Sequence, residues 1–384
     1  MRTPIADFLG SLKDFTAVEL GTIALKVALN QAALEPGQIE EVVAGMGNQA
    51  GCKPNPARQV ALGAGCPVET YAATVNQQCA SSMRATEILA QEIMLGKVDA
   101  GAAVGPESMS NIPYLLPGAR KGYRMGHVQI VDSMFNDGLI DAFNDYHMGV
   151  TAENLAQMYG ISRKEQDELA LLSHQRACQA IKEGKFKDEI VPVEIRTKKG
   201  TVLFDTDEHP KPDTTLEGLA KLKPVFDREG TVTTGNASSL NDGASALILM
   251  AADKAKELGI KPLARIVATA SAGVDPKIMG IGVVPAVQRA LKFADLKQED
   301  IGYWEINEAF AAQFLAVNRE MKLDMDKVNV NGSGISLGHP VNCTGARLIV
   351  SLIYEMRRRG DRFGCASLCA GGGPGAATIV ELYE

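Results

Sequence analysis

No apolar run in this 384-residue chain approaches the length of a membrane span, so no membrane partner is expected. The first residues, Met1-Arg-Thr-Pro-Ile, lack the apolar stretch of a secretory leader, and Glu381-Leu-Tyr-Glu384 is no peroxisomal address. Both point to a cytoplasmic protein. A basic excess is missing too: the formal net charge is -7, which argues against nucleic acid as the main partner. That sign leaves room for an anionic cofactor, because a local basic cluster can act against the global charge. The seven cysteines (52, 66, 79, 178, 343, 365 and 369) are odd in number and lack the spacing of a disulfide framework, so they read as reduced thiols. Only five histidines are present and none lies near Cys365 and Cys369, so no metal site is expected.

The length exceeds a usual single core and predicts two or more packed domains, with the 46% hydrophobic and 22% charged content of a soluble globular protein. Four separated stretches set a chemically loaded residue in a frame of small ones. They are Asn76-Gln-Gln-Cys79-Ala-Ser-Ser-Met-Arg84, Asn307-Glu-Ala-Phe310, Leu337-Gly-His339-Pro340 and Leu368-Cys369-Ala-Gly-Gly-Gly373. Two cysteines, a histidine and an asparagine amide, framed so that a substrate can approach the backbone, suit an acyl-transfer centre.

The chain also repeats itself. Ala28-Leu29, Ala32, Leu34 and Ile39 match Ala290-Leu291, Ala294, Leu296 and Ile301 at a constant offset of 262. Each copy reads as an amphipathic helix, a polar break and an apolar strand, at Val42–Gly45 and Tyr303–Ile306. Asn76–Cys79 with Arg84 resembles Pro340–Cys343 with Arg347, and Ala100–Gly105 resembles Gly364–Cys369. Two copies of a helix–strand unit predict two similar α/β halves with buried sheets, and an active centre where the halves meet. Roughly residues 112 to 240 break the pattern. This insert holds a loop near Asn136-Asp-Gly138, an amphipathic helix from about Ser162 to Ile181 and a charged hairpin-like stretch from Pro192 to Asp207. An insert of this length suggests a lid or an assembly element.

Cys79 follows the strand-like Ala73-Thr-Val75 and precedes a good helix, so its sulfur belongs at a helix N-terminus, where amides and dipole favour the thiolate. The plain alternative is a small buried core cysteine. His339, pinned between glycine and proline, suits a general base for Cys79 or an oxyanion donor; otherwise it is a structural histidine. Cys369 before the glycine run could shuttle a proton at a substrate carbon, or form a redox pair with Cys79. Asn307 ends an apolar strand, where its amide could hold a water or face developing negative charge. A turn or helix cap is its ordinary use. His147-Met148-Gly149 would place a ring and a thioether near the acyl group if the insert covers the site. Lys211, Lys221, Lys223 and Arg228, with Ser238, are candidates for an anionic cofactor, although charge alone assigns none of them.

With these residues in hand, the chain resembles the thiolases over essentially its whole length, and the biosynthetic acetyl-CoA C-acetyltransferases among them. The resemblance runs from Arg2-Thr-Pro-Ile through Gly235-Asn-Ala-Ser-Ser-Leu-Asn-Asp-Gly243 and Val328-Asn-Val-Asn-Gly332 to Gly371-Gly-Gly-Pro-Gly375. It implies an α/β fold of five layers, α-β-α-β-α, made of two duplicated halves (1–111 with 241–261, and 262–384) and a loop domain (112–240) over the substrate. It implies a homotetramer, a dimer of dimers, that uses coenzyme A and acetyl-CoA as substrates with no permanently bound cofactor. Cys79 would be the acylated nucleophile, His339 its activator, Cys369 the acid/base at the acetyl Cα, and Asn307 the holder of an oxyanion-hole water. The amides of Cys79 and Gly371 would form a second oxyanion hole. Ser238 would meet the pantetheine and Lys211 the nucleotide end. His147, Met148, Phe226, Ala309 and Phe310 complete the expected acyl-CoA contacts, and His147-Met148 resembles a short-chain signature. The implied reaction joins two acetyl-CoA into acetoacetyl-CoA and CoA through an acetyl-cysteine, or runs in reverse as thiolysis.

Three departures stand out. Family members begin with an apolar strand before Arg-Thr-Pro-Ile, expected at the centre of the first sheet and apparently missing here. Asn342 replaces a usual glycine, a modest cost if the position needs φ > 0. Pro374 would stiffen the loop behind Cys369. Two other readings stay open: a degradative 3-ketoacyl-CoA thiolase of broader chain length, and a non-catalytic thiolase-like subunit that binds acyl-CoA. A decarboxylating ketoacyl synthase would want a second catalytic histidine in place of Asn307.

Overall fold

The computed structural model describes residues 1–383; Glu384, the last residue of the expected second half, lies outside them. The first half runs β1 (Ala6–Asp7), α1 (Ala17–Gln31), β2 (Glu41–Gly45), α2 (Pro56–Gly63), β3 (Tyr71–Val75), α3 (Ser81–Met94) and β4 (Ala100–Ser108). The insert carries short β5 (Tyr114–Leu115) and β6 (Val131–Asp132), then α4 (Met148–Tyr159), α5 (Arg163–Lys182), the hairpin β7 (Val193–Thr197) and β8 (Gly200–Phe204), and α6 (Leu216–Ala220). The chain then returns to the first sheet as β9 (Asn241–Met250), followed by α7 (Ala252–Glu257). The second half runs β10 (Ala264–Gly273), α8 (Val283–Ala294), β11 (Tyr303–Ile306), α9 (Ala311–Met321), the short α10 (Gly334–Leu337), α11 (Val341–Arg359), β12 (Phe363–Cys369) and β13 (Pro374–Leu382).

The two sheets share one topology. The first is ordered β1-β9-β4-β2-β3 and the second β10-β13-β12-β11. In both, the second strand lies parallel to the third in the ladder (β2 on β4, β11 on β12), and the last strand pairs antiparallel on each side. A bridge from Trp304 to Val328 extends the second sheet where β3 extends the first. The offset of 262 read from the sequence places α1 over α8 and β2 over β11.

Layering follows from which faces are apolar. Helix α1, begun by a Thr16–Glu19 capping box, buries Leu20, Ala24, Leu25 and Ala28 on β4 and β9, while α8 covers β10 and β13. Burying a leucine of this kind contributes roughly 1.5–3 kcal/mol. Helices α3 and α11 lie between the sheets and touch each other: α3 packs on β2 and β4, and α11 on β4, β9, β11 and β12. The result is five layers, α-β-α-β-α. Helix α11 is buried without interruption from Val341 to Ile353. Gly345 lets it approach α3, since a Cβ there would sit 2.6 Å from the Met83 nitrogen.

The first residues correct one expectation. The Met1 carbonyl accepts from Ala246, and the Thr3 amide donates to the Ala244 carbonyl, so this run lies along β9 at the sheet's edge and not at its centre. β10 occupies the same edge in the second sheet. The centre is β4, buried throughout. Arg2 points under the insert, fully buried, with Nε on Glu189 (2.7 Å) and both terminal nitrogens on Asp207 (2.7 and 2.8 Å). Within the insert, the expected helix forms as α5 behind a Ser162–Glu165 capping box, and the charged stretch forms the β7–β8 hairpin. The Asn136-Asp-Gly138 loop is instead part of a wide helical turn, Phe135–Leu139.

Candidate active site

Cys79 ends the turn between β3 and α3. Gln78 takes a left-handed conformation (φ 49°), held by its amide on Asn76 Oδ1 (2.9 Å) and by the Ser81 hydroxyl on its carbonyl (2.6 Å). The amides of Gly371 and of Cys79 itself favour a thiolate, yet burial outweighs them and pushes the thiol up to about 11. Cys79 is therefore a thiol at neutral pH, contrary to the expectation drawn from the helix N-terminus. A base must take its proton during reaction.

His339 stands on the tight turn that leads into α11. Gly338 has φ 99°, and a Cβ there would lie 2.6 Å from the Asn241 side chain. That closeness fits a second contact: the His339 amide donates to Asn241 Oδ1 (2.9 Å). His339 Nδ1 lies 2.6 Å from Thr344 Oγ1, whose own proton goes to the Pro340 carbonyl (2.9 Å). The hydroxyl has one proton to give, so it accepts Nδ1–H, and Nε2 is left unprotonated. Burial, then the charge of Arg347, pushes the imidazole down to about 3, so it is neutral at pH 7.

Nε2 faces Asn307 Nδ2 at 3.5 Å. Asn307 follows β11, its amide donates to the Ser367 carbonyl, and its Oδ1 is buried with no protein partner. Cys369 ends β12, buried, its thiol pushed well up by desolvation and further by nearby Cys79. Past it, Gly372 (φ 85°) and Gly373 (φ 104°) turn the chain, and the Ala370 amide closes on the Pro374 carbonyl (2.8 Å). Cys79 packs against the buried cluster of Met109, Met134 and Val341, the last of these the first residue of α11. These contacts link Cys79, His339, Asn307, Cys369 and Gly371 in one centre between the halves.

The insert closes on that centre. A Cβ on Gly371 would lie 3.2 Å from Met148 Cε, and Met148 shares a buried cluster with Ala309, Phe310 and Cys369. The His147 ring stacks on Phe226 at 4.4 Å, and Phe226 meets Phe310 edge-on at 6.1 Å. His147 Nδ1 accepts from the Gly149 amide (2.9 Å), and desolvation pushes the ring down to about 4. Ser238 is half-buried and donates its amide to the Ala309 carbonyl (2.9 Å), beside an Ala237–Phe310 bridge. Lys211 is apart from the centre. It is exposed, its amide donates to His174 Nδ1 (3.2 Å), and it borders two surface depressions of about 440 and 420 Å³. None of Cys79, His339 or Cys369 lines either. Lys221, Lys223 and Arg228 are exposed.

Several residues of the centre escaped sequence reading. Thr344 becomes a partner of His339 only because the first turn of α11 folds back under the ring. Asn241 lies in the Gly235–Gly243 stretch, where nothing local gives its side chain a role. Glu107, buried at the end of β4, accepts the Asn342 amide (3.0 Å) and so caps α11 from the other half. Burial first, and then nearby Asp242, pushes its carboxyl up to about 8 against the pull of that amide.

The family model of the thiolase N-terminal domain matches residues 1–253, and that of the thiolase C-terminal domain matches residues 260–382. This chain belongs to the thiolase family. It is 53% identical to the acetyl-CoA acetyltransferase of Pseudomonas aeruginosa over 380 residues, 99% of this chain and 97% of that protein. The solved acetyl-CoA acetyltransferase of Syntrophomonas wolfei superposes with a TM-score of 0.98 at 49% identity, covering 100% of this thiolase and 97% of that chain. Human mitochondrial 3-ketoacyl-CoA thiolase superposes at 0.97 with 43% identity and the same coverage. Among the described residues, no helix of this thiolase is long and apolar enough to cross a membrane.

Proposed function

We propose that this thiolase condenses two acetyl-CoA into acetoacetyl-CoA and CoA, or runs the reverse thiolysis, through an acetyl group on Cys79. The relatives named acetyl-CoA acetyltransferase, about half identical over nearly the whole chain, support that substrate. The observation that carries the chemistry is the neutral imidazole whose Nδ1–H is committed to Thr344. His339 Nε2 takes the Cys79 proton as the sulfur attacks the thioester carbonyl, and the amides of Cys79 and Gly371 receive the oxyanion. The carbonyl re-forms, the CoA thiolate leaves with the proton of Cys369, and acetyl-Cys79 remains beside a protonated His339 and a Cys369 thiolate.

Cys369, as thiolate, then removes a Cα proton from a second acetyl-CoA. The carbanion attacks acetyl-Cys79, a C–C bond forms, the C–S bond breaks, and the Cys79 sulfur recovers its proton from His339 Nε2. The orphan Oδ1 of Asn307 suits a water that, with His339, steadies the enolate oxygen. Ser238 and Lys211 serve the pantetheine and nucleotide ends of CoA. Phe226, Ala309 and Phe310 line the acyl side, and His147 with Met148 fills the space of a longer chain. No resident cofactor takes part. A cytoplasmic homotetramer, with 112–240 as its loop domain between halves 1–111 with 241–261 and 262–384, completes this reading. The likeness to a 3-ketoacyl-CoA thiolase favours a second reading with longer substrates, which thiolysis of a chain-length series separates from the first.

Intact mass after brief exposure to acetyl-CoA tests the central step. One added acetyl on the wild type and none on C79A is expected; equal labelling of both, or none, sinks the proposal.

A further inference from the structure

We infer that Asn342 is a positioning residue, a strut by which the helix behind His339 fixes the turn that presents Cys79. The inference rests on the reading of Cys79 as acyl acceptor. Asn342 lies in the first turn of α11 and is not among the residues with positive φ, so tolerance of a left-handed backbone does not explain an asparagine here. Its side chain does something a glycine cannot. Oδ1 accepts the Gly47 amide at 2.6 Å, across the boundary between the halves. Gly47 follows β2, and its carbonyl accepts from Asn76 Nδ2 (3.3 Å). Asn76 Oδ1 in turn holds the amide of left-handed Gln78, the residue before Cys79. A continuous path of hydrogen bonds therefore runs from the His339 helix to the nucleophile's turn.

The orientation of the Asn342 amide is forced, because Gly47 N–H can only donate and must meet the oxygen. This leaves Asn342 Nδ2 buried and without a partner. A side chain that leaves one buried donor unpaired adds little net stability. Its use is registry: α3 and α11 come from different halves, and the acyl transfer needs Cys79 and His339 aligned. Glu107 holds the same turn of α11 through the Asn342 backbone, so removing the side chain leaves the helix capped.

The test compares N342G, N342D, N76A and the N342G/N76A double variant by the quenched rate of acetyl addition at Cys79, the KM for acetyl-CoA and the thermal midpoint. We expect N342G to slow acetylation about ten- to hundred-fold, since small misplacements of reacting groups act on this scale. KM and the thermal midpoint should hardly change, and N342D, which keeps the acceptor, should restore most of the rate. The double variant should be no slower than the slower single one, because both act through the Gly47 peptide. Wild-type acetylation in N342G, an N342D as slow as N342G, or multiplying effects of N342G and N76A would each overturn the inference. Should N342G not fold, N76A at the exposed end decides it by the same rate. A wild type that never acquires acetyl at Cys79 counts instead against the proposed function.

Discussion

Replacing Thr344 by valine tests how His339 is prepared for its task. The two side chains have similar volumes, so T344V keeps the packing and removes the one acceptor of Nδ1–H, 2.6 Å away in a site where His339 is 6% exposed. The imidazole then has two choices. Left as it is, it holds an unpaired buried donor, at a cost of about 1–3 kcal/mol. Moved to Nε2, its proton blocks the lone pair that receives the Cys79 proton. Either way the transition state rises by about 1–3 kcal/mol, which is roughly a five- to hundred-and-fifty-fold loss in rate. Rapid-quench mass spectrometry of acetyl-Cys79 formation measures it directly. T344S, which keeps the hydroxyl, should stay within about threefold of the wild type on the same reasoning. A well-folded T344V that acetylates as fast as the wild type would refute the tautomer argument and return His339 to a merely structural part.

Two further outcomes follow from the same geometry. Burial depresses His339 to about 3 and His147 and His174 to about 4, against an unfolded value near 6.5. Below that value the unfolded chain binds protons the folded chain refuses, so stability should fall as pH drops from about 6.5 toward 3. Chemical denaturation across that range should show the loss, with H174Q flattening it in part; an unchanged slope in H174Q would contradict its burial as a neutral ring. M148A should open space beside Gly371, raising the preference for a six-carbon over a four-carbon 3-ketoacyl-CoA about tenfold or more in kcat/KM. An unchanged ratio in a folded M148A would remove Met148 from the acyl site.

The duplicated architecture explains why so little sequence carries so much of the site. Helices α3 and α11 are equivalent elements of two halves, packed against each other between the sheets. Each presents the turn at its N-terminus to the same boundary, one bearing Cys79 and the other His339. Cys369 ends β12, and Asn307 follows its neighbour β11, which lies parallel to it. Strand ends and helix starts in α/β layers point the same way, so a site assembled there needs few loops of its own.

The repeat at an offset of 262, the alternation of helix and strand, and the four small-residue frames were all legible in the chain, because periodicity and local steric demand are properties of neighbouring residues. Cys79, His339, Asn307 and Cys369 also stand out locally, whereas Thr344, Asn241 and Glu107 do not. What the tertiary structure alone decided was everything that depends on crossing from one half to the other. The family's first strand is expected at the centre of its sheet, yet the run from Met1 lies along β9 at the edge, because strand order is a matter of long-range pairing. Cys79 looks like a thiolate at a helix N-terminus, yet desolvation by residues distant in sequence overrides the local dipole. The tautomer of His339 is set by a hydroxyl brought back under the ring by the first turn of α11. At Asn342 the expected role was tolerance of a left-handed backbone, but the backbone there is an ordinary helix. Its oxygen answers an amide 295 residues away, which only packing the two halves together brings within 2.6 Å.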